Sequence, residues 1–334
     1  ENMKRKLAFL LMLCFGWSFF LNGCGGTLPK TDDRLQVVCT IFPEYDWARQ
    51  LTQGVDNVDL TLLVKNGTDL HSYQPSVRDI AMIARADVFC YVGGVSDTWV
   101  NDVLDTTENR TAQLVSMAEA ADADEEVLAE GMQAEHEHEH EHDHHDDESD
   151  SHEEPPELDE HVWLSLRRAA LACTAMKEAL CKADPAHEDI YNQNCTDYLQ
   201  KLQELDSDFT EMTSQAARDT IVVADRFPFR YLAEDYGLTY YAAFPGCSAE
   251  TEASFETIVF LSEKVKSLHL PCVLVTEGSN SSLAKTILEN AGSDGKILTL
   301  QSLQAVSQKE IDAGVTYLSK MQENYDVLKQ ALNS

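Results

Sequence analysis

The chain has 334 residues and a formal charge of -33 at pH 7. Twenty acidic residues lie between positions 119 and 160, where there is no Lys or Arg, so most of the excess charge belongs to that one segment. Because no basic stripe is available to contact phosphates, the composition excludes nucleic acid as a partner. The length is sufficient for two hydrophobic cores.

The first residues have the pattern of a secretory signal. Lys4-Arg5-Lys6 precedes an apolar run over 7–21 that is short for a membrane-spanning helix. Residues 21–25 (LNGCG) resemble a bacterial lipoprotein box, which predicts a signal peptide over 1–24, lipidation of Cys24 and a tether over 25–34. The chain is therefore predicted to be extracytoplasmic and lipid-anchored to the bacterial cell membrane. The alternative, an uncleaved anchor, would hold it on the same side.

Before the acidic segment, the spacing of apolar residues predicts alternating strands and helices, which we assign to an N-terminal lobe over 35–185. Ser76 and Asp79 have the spacing of a capping box and predict the start of a helix. The predicted elements are a strand over 36–41, a helix over 45–51, a strand over 58–63, a helix over 76–86 and a strand over 88–92.

The acidic segment contains alternating histidines and carboxylates. Its composition predicts a disordered loop over about 119–158 within the N-terminal lobe, because almost nothing in its centre is apolar. Imidazole and carboxylate groups are ligands for divalent cations, and neutral imidazole favours zinc. The segment is therefore predicted to be an auxiliary metal-capture site. Its candidate ligands are His136, His138, His140, His142, His144 and His145.

After the acidic segment, a helix is predicted over 166–182 and a long connecting helix over 186–217. A C-terminal lobe is predicted over 218–334, with the same alternation as the first. The predicted fold class is α/β, with two parallel-sheet lobes joined by one long rigid helix and a metal site between them. The elements of the second lobe are strands over 220–224, 239–243, 273–276 and 297–300 and helices over 229–236, 254–267 and 281–291, with one more helix at the end.

Two polar loops contain histidines that are candidate metal ligands. His71 follows the second predicted strand, and His161 follows the acidic segment. A lone histidine is more often a satisfied polar residue than a ligand, but two of them, each in a polar loop at a sheet edge, favour a metal site. Ligands of parallel sheets gather at the carboxyl ends of the strands, which is where these loops are predicted to lie.

Several motifs resemble those of the zinc and manganese substrate-binding proteins of ABC importers, over residues 36–332. Residues 67–75 (GTDLHSYQP) are similar to the family's G-x-D-P-H-x-Y-E-P segment, and residues 161–164 (HVWL) match the end of its D-P-H-V-W-L motif. Residues 184–198, 229–238 and 246–254 resemble the start of its connecting helix, the opening of its second lobe and the loop that follows. The resemblance implies a rigid clamp with a metal between the lobes, and many members carry a His-rich insertion at this place.

One position departs from the family pattern. An ungapped comparison puts Arg226 where the family has its third ligand, and a guanidinium has no lone pair with which to coordinate. The nearest substitutes are Asp225 and, in the region of the fourth ligand, Glu277. With His71 and His161 they would form a sound site for zinc and a tolerable one for manganese. Arg226 is then predicted to orient one of these carboxylates from behind.

The resulting prediction is a binding protein and not an enzyme: it captures a divalent metal, zinc or alternatively manganese, and delivers it to the permease and ATPase subunits of an ABC importer. The sequence contains no H-E-x-x-H motif, and residues 292–296 (GSDGK) lack the spacing of a phosphate-binding loop. A monomer is expected. The alternative outside transport is a surface metal buffer or adhesin in which the acidic segment does the binding. The scattered cysteines predict no obligatory disulfide framework.

Overall fold

The computed structural model describes residues 34–65, 67–107, 111–132, 158–248 and 252–334. The predicted signal peptide, Cys24, most of the tether and the six candidate histidines of the acidic segment lie outside the described residues. In the described part of the chain, no helix is both long enough and apolar enough to span a bilayer.

The N-terminal lobe is built on a parallel sheet with strand order β2-β1-β3-β4. Its central strand is almost completely buried, as expected for a parallel sheet covered by helices on both faces. The elements are β1 (Leu35–Cys39), α1 (Phe42–Leu51), β2 (Val58–Leu62), α2 (Val77–Ile83), β3 (Val88–Tyr91), α3 (Trp99–Thr106), β4 (Gln113–Ser116), α4 (Met117–Ala120) and α5 (Leu166–Ala183).

The C-terminal lobe repeats this plan with strand order β6-β5-β7-β8, again all parallel. It follows the connecting helix α6 (Glu188–Ser214). The elements are β5 (Thr220–Phe227), α7 (Arg230–Asp235), β6 (Thr239–Pro245), α8 (Phe255–Ser267), β7 (Cys272–Thr276), α9 (Ser282–Ala291), β8 (Lys296–Leu300), α10 (Gln308–Asp312) and α11 (Tyr317–Asn333).

The two lobes share one hydrophobic core. Buried side chains recur along α6 at intervals of three or four residues from Tyr191 to Met212, and one apolar cluster continues from the first sheet past this helix into the second lobe. Hydrogen bonds also join the lobes: among them, Trp163 Nε1 donates to the Ser302 carbonyl at 2.8 Å, and the Tyr317 hydroxyl donates to the Trp163 carbonyl at 2.7 Å. The spacing of the lobes is therefore fixed by packing.

The structure confirms the predicted fold class, with two parallel-sheet lobes and one long helix between them. The Ser76 capping box is also confirmed, since Ser76 Oγ accepts the Asp79 N–H and the Asp79 carboxylate accepts the Ser76 N–H. Four of these elements had no prediction: α3, the short edge strand β4, α4 and α10. No disulfide joins the described cysteines, and Cys24 lies outside this set.

The acidic segment differs from its prediction at its beginning. The predicted disordered loop includes residues 119–132, but the structure describes them and gives them contacts with the second lobe. Asp124 N–H donates to the Tyr231 hydroxyl at 2.9 Å, and Gly131 packs closely against the ring of Phe260. The first part of the predicted loop is thus held across the C-terminal lobe.

Candidate metal centre

The carboxyl ends of the two sheets line one cleft. Its volume is about 580 Å³, and its lining includes His71 from the first lobe and Asp225, Arg226 and Glu277 from the second. The topology produces this arrangement, because the loops after parallel strands all emerge at the same edge of a sheet.

His71 is positioned by the loop after β2. It lies in a 3-10 helix, Leu70–Ser72, which Asp69 caps by accepting the His71 backbone N–H at 3.1 Å, while Leu70 is fully buried beneath it. Its ring Nδ1 is 2.7 Å from Ser96 Oγ, and this hydroxyl donates its one proton to the Glu160 carboxylate. Nδ1 is therefore the protonated nitrogen that donates to Ser96, and Nε2 retains its lone pair.

His161 is held in the same way from the other side. Its ring Nδ1 donates to Asp159 Oδ1 at 2.9 Å, and the same oxygen accepts its backbone N–H at 3.1 Å. The following 3-10 helix, Val162–Leu164, is completely buried and anchors the residue in the core. A histidine with a carboxylate on one nitrogen presents the other nitrogen to a metal, and the partner fixes both tautomer and ring orientation.

Both imidazoles present a buried nitrogen without a partner. The ring centroids are 5.6 Å apart, and neither Nε2 has a hydrogen bond among the described residues. A buried polar atom left unsatisfied costs about 1–3 kcal/mol, so two neighbouring ones require an explanation. Donor atoms of His71, Glu160, His161 and Cys247 all lie within 4.8 Å of one another, and the charge that would satisfy this group is a cation.

The two histidines have opposite pKa shifts. Burial, together with the neighbouring His161, lowers the pKa of His71 to about 4. Burial alone would lower the pKa of His161 as well, but the hydrogen bond and charge of Asp159, with Glu160 and Glu126 nearby, raise it above its ordinary value. At neutral pH His71 is therefore neutral and ready to coordinate. At His161, protons compete with the metal for the ring nitrogen Nε2.

Asp225 and Glu277 line the cleft, but neither belongs to the four-residue donor group. Asp225 Oδ2 accepts from Thr276 Oγ1 at 2.7 Å and from the Thr276 N–H at 3.3 Å. The two oxygens of Glu277 accept from the N–H and hydroxyl of Ser302 at 2.6 and 2.7 Å. Both carboxylates thus join neighbouring strand ends of the second lobe, and coordination would require them to give up some of these bonds.

Arg226 makes an ion pair that crosses the cleft. Its Nη1 lies 2.9 Å from Asp69 Oδ2, a partner that differs from the predicted ones, Asp225 and Glu277. Only the backbone N–H of Arg226 meets one of those carboxylates, donating to Asp225 Oδ1 at 2.9 Å. Since Asp69 also caps the helix of His71, the guanidinium acts on the ligand loop of the opposite lobe.

The comparisons with known proteins agree with this architecture. The profile of the family described as zinc-uptake complex component A, periplasmic (ZnuA) matches residues 37–331. The chain belongs to this family. The resemblance predicted from the motifs is thereby confirmed, and the family is a metal-binding component of an uptake system.

Two curated relatives and one solved structure illustrate the similarity. The chain is 32% identical over 328 residues to the zinc-binding lipoprotein AdcA of Streptococcus pneumoniae, covering 98% of this chain and 61% of that protein. It is 30% identical over 329 residues to the high-affinity zinc uptake system protein ZnuA of Bacillus subtilis, covering 97% and 96%. The Zn(II)-bound ZnuA-like domain of Streptococcus pneumoniae AdcA superposes with a TM-score of 0.68 at 29% identity, covering 90% of this chain and 100% of that one. The chain thus spans 61% of the AdcA relatives that it matches.

Two residues of the donor group, Glu160 and Cys247, and the supporting residue Ser96 had no sequence prediction as site residues. Glu160 stands where the family motif has Pro, and that departure was a usable signal. Cys247 occupies an unspecified position of the loop over 246–254, and Ser96 lies in a stretch with no motif. The proximity of Cys247 and Ser96 to the two histidines arises only from the fold.

Proposed function

We propose that this chain is the extracytoplasmic substrate-binding protein of an ABC importer, and that its cargo is Zn²⁺ bound between the lobes. The proposal rests on the two buried Nε2 atoms of His71 and His161, each set in position by a polar partner on Nδ1. Such paired imidazoles are characteristic of a site that holds its ligands ready before the metal arrives.

Zinc is favoured over manganese by the chemistry of the donors and by the family. Neutral imidazole suits zinc, whereas manganese prefers a set dominated by oxygen. The relatives are named as zinc-binding or zinc-uptake proteins, which supports the same cargo here. A manganese carrier of the same family is the alternative.

Delivery requires further partners. We propose that Cys24 carries a lipid that keeps the loaded protein near a permease, that a separate ATPase drives import, and that the chain acts as a monomer without catalysing a reaction. The scaffold supports this, since a cation held by the group of His71, Glu160, His161 and Cys247 would contact loops of both lobes. The residues of the acidic segment would raise the local metal concentration through weak, fast contacts, and residues 119–132 would bring them to the second lobe.

Replacing residues 134–152 by a Gly/Ser linker of equal length tests whether the cleft or the acidic segment binds zinc tightly. Calorimetric titration of the full chain with zinc should show one tight equivalent followed by several weak ones, and the linker variant should retain only the tight one. The six predicted histidines are absent from that variant, while the cleft is untouched. If the protein were a surface buffer or adhesin that binds zinc through this segment, the variant would lose nearly all its binding.

A matched series of amides separates the roles of the carboxylates in the cleft. We propose Glu277 as the stronger candidate for an oxygen ligand from the second lobe, because Asp225 is held by three hydrogen bonds and Glu277 by two to a single residue. Glu277→Gln should weaken zinc binding about tenfold or more, and Asp225→Asn less. Arg226→Ala removes the ion pair to Asp69 and should lower zinc affinity by no more than roughly 10- to 100-fold, the loss typical of a residue that orients a ligand without touching the metal. The reverse order for the two amides in a chelator-competition assay would make Asp225 the ligand.

A further inference from the structure

The loop after β6 makes an unusually close approach to His161. A Cβ atom added at Gly246 would lie 2.8 Å from Cε1 and 2.9 Å from Nδ1 of the His161 ring, distances that a side chain does not tolerate. Only glycine therefore allows the backbone to come this near. The next residue along the loop is Cys247, which is partly exposed.

The carboxylate of Glu126 also holds this loop. Its Oε1 accepts the Gly246 N–H at 3.1 Å, and the Cys247 N–H also bonds to its carboxylate. Glu126 belongs to the part of the acidic segment that crosses the second lobe. The loop is thus fixed by its contact with the His161 ring and by two hydrogen bonds to a carboxylate, which gives Cys247 a defined position.

The Cys247 thiol is set apart from the other described cysteines by its surroundings. Its sulfur is in the group whose donor atoms lie within 4.8 Å of one another, together with His71, Glu160 and His161. The two imidazoles of that group have buried Nε2 atoms without partners in the described structure. The remaining described cysteines are buried in the core or, for Cys181, lie partly exposed on α5.

We propose that Cys247 coordinates the zinc ion as a thiolate, providing the ligand from the second lobe that the family pattern leads one to expect at Arg226. This inference rests on the proposed function, since it names a further ligand of the same site. On binding, a Zn–S bond forms and the thiol proton leaves to solvent, with no change of oxidation state. A set of two imidazoles and a thiolate is soft, so it favours zinc over manganese more strongly than an all-oxygen completion would.

Cobalt(II) is a spectroscopic probe for this arrangement, because thiolate coordination produces a sulfur-to-metal charge-transfer band in the near ultraviolet. One equivalent of Co²⁺ added to the full chain under reducing conditions should produce this band together with visible d–d bands. Cys247→Ser should abolish the charge-transfer band, retain d–d bands from the imidazole-bound metal and weaken zinc binding about tenfold or more. Cys181→Ser, the matched control, should behave like the unchanged chain.

The outcomes distinguish this inference from the proposed function. Visible d–d bands without a charge-transfer band in the unchanged chain, or an undiminished band and zinc affinity in Cys247→Ser, would overturn the thiolate ligand and leave the cleft site standing. Metal binding that is unaffected by removing both His71 and His161 would overturn the site itself. Because Ser is nearly isosteric with Cys, a melting temperature of the metal-free variant equal to that of the unchanged chain shows that folding is not the cause. Should it differ, the same spectra of Cys247→Ala decide the question.

Discussion

Replacing His71 or His161 by Ala is expected to weaken the tight zinc site by about a hundredfold or more. Each substitution removes a nitrogen donor that the fold holds in place, so the loss should exceed the roughly 10- to 100-fold typical of an outer partner. Competition with a chromogenic zinc chelator measures it. The double substitution should leave only the weak binding of the acidic segment.

The control for this experiment is His187→Ala. His187 lies at the start of the connecting helix, where its Nδ1 is 2.7 Å from Asp184 Oδ2 and its side chain is partly exposed. Zinc affinity should not change. A second readout is thermal: bound zinc at about a hundred times its dissociation constant stabilises a protein by about 2.7 kcal/mol, and this zinc-dependent stabilisation should vanish in the ligand variants. Full zinc affinity in the double variant would show that the site lies elsewhere.

Zinc affinity is expected to fall as the pH is lowered, and His161 should set the pH at which this fall becomes steeper. Its raised pKa means that the metal-free protein carries a proton on this ring below that value, and zinc must displace it. Release of the proposed Cys247 thiol proton already makes affinity fall as the pH is lowered, and below the His161 pKa the decline should steepen by a further factor of about ten for each pH unit. His71, whose pKa is about 4, takes up a further proton only when the pH falls to about that value.

Asp159→Asn tests the cause of this profile. Asn keeps an oxygen that can accept the two N–H groups of His161 but removes the negative charge that raises the pKa of the ring. The steepening should then begin at a lower pH, while affinity at alkaline pH should change by no more than about 10- to 100-fold, the loss typical when a residue that orients a metal ligand is altered. A profile that is flat from pH 8 to pH 5.5, or a break that does not move in the variant, would contradict the assignment of His161 as the titrating ligand.

The sequence was sufficient for the features that depend on local pattern. Strand and helix alternation follows from periodicity, and His71 and His161 lie in motifs whose loop positions can be inferred from the strands before them. The edge strand β4 was missed because it is four residues long and exposes Leu114, so it has no clear buried face. Nothing in the local sequence distinguishes it from a turn.

The remaining site residues could not be predicted because their roles depend on distant contacts. Ser96 and Glu160 are 64 positions apart, yet they meet as one network behind His71. Asp225 follows the predicted strand over 220–224 and was predicted as a metal ligand. In the fold its carboxylate accepts a hydrogen bond from Thr276, which is 51 positions away. Comparison with the family motif places the third ligand by its position in the sequence. Which side chains can reach one metal ion depends instead on the distances between their donor atoms in the fold.

The shared core has a consequence for modularity. Each sheet has its own strand order, so the lobes resemble separable building blocks, yet one apolar cluster runs past the connecting helix into both. A cut in that helix would expose apolar surface on each half. Exchange of a single lobe between relatives would also have to preserve the contacts of Trp163 with Ser302 and Tyr317. Exchange of segments between relatives is therefore restricted to loops. Substitutions in the loops at the cleft can change the metal ligands while the two lobes and the connecting helix stay together as one unit.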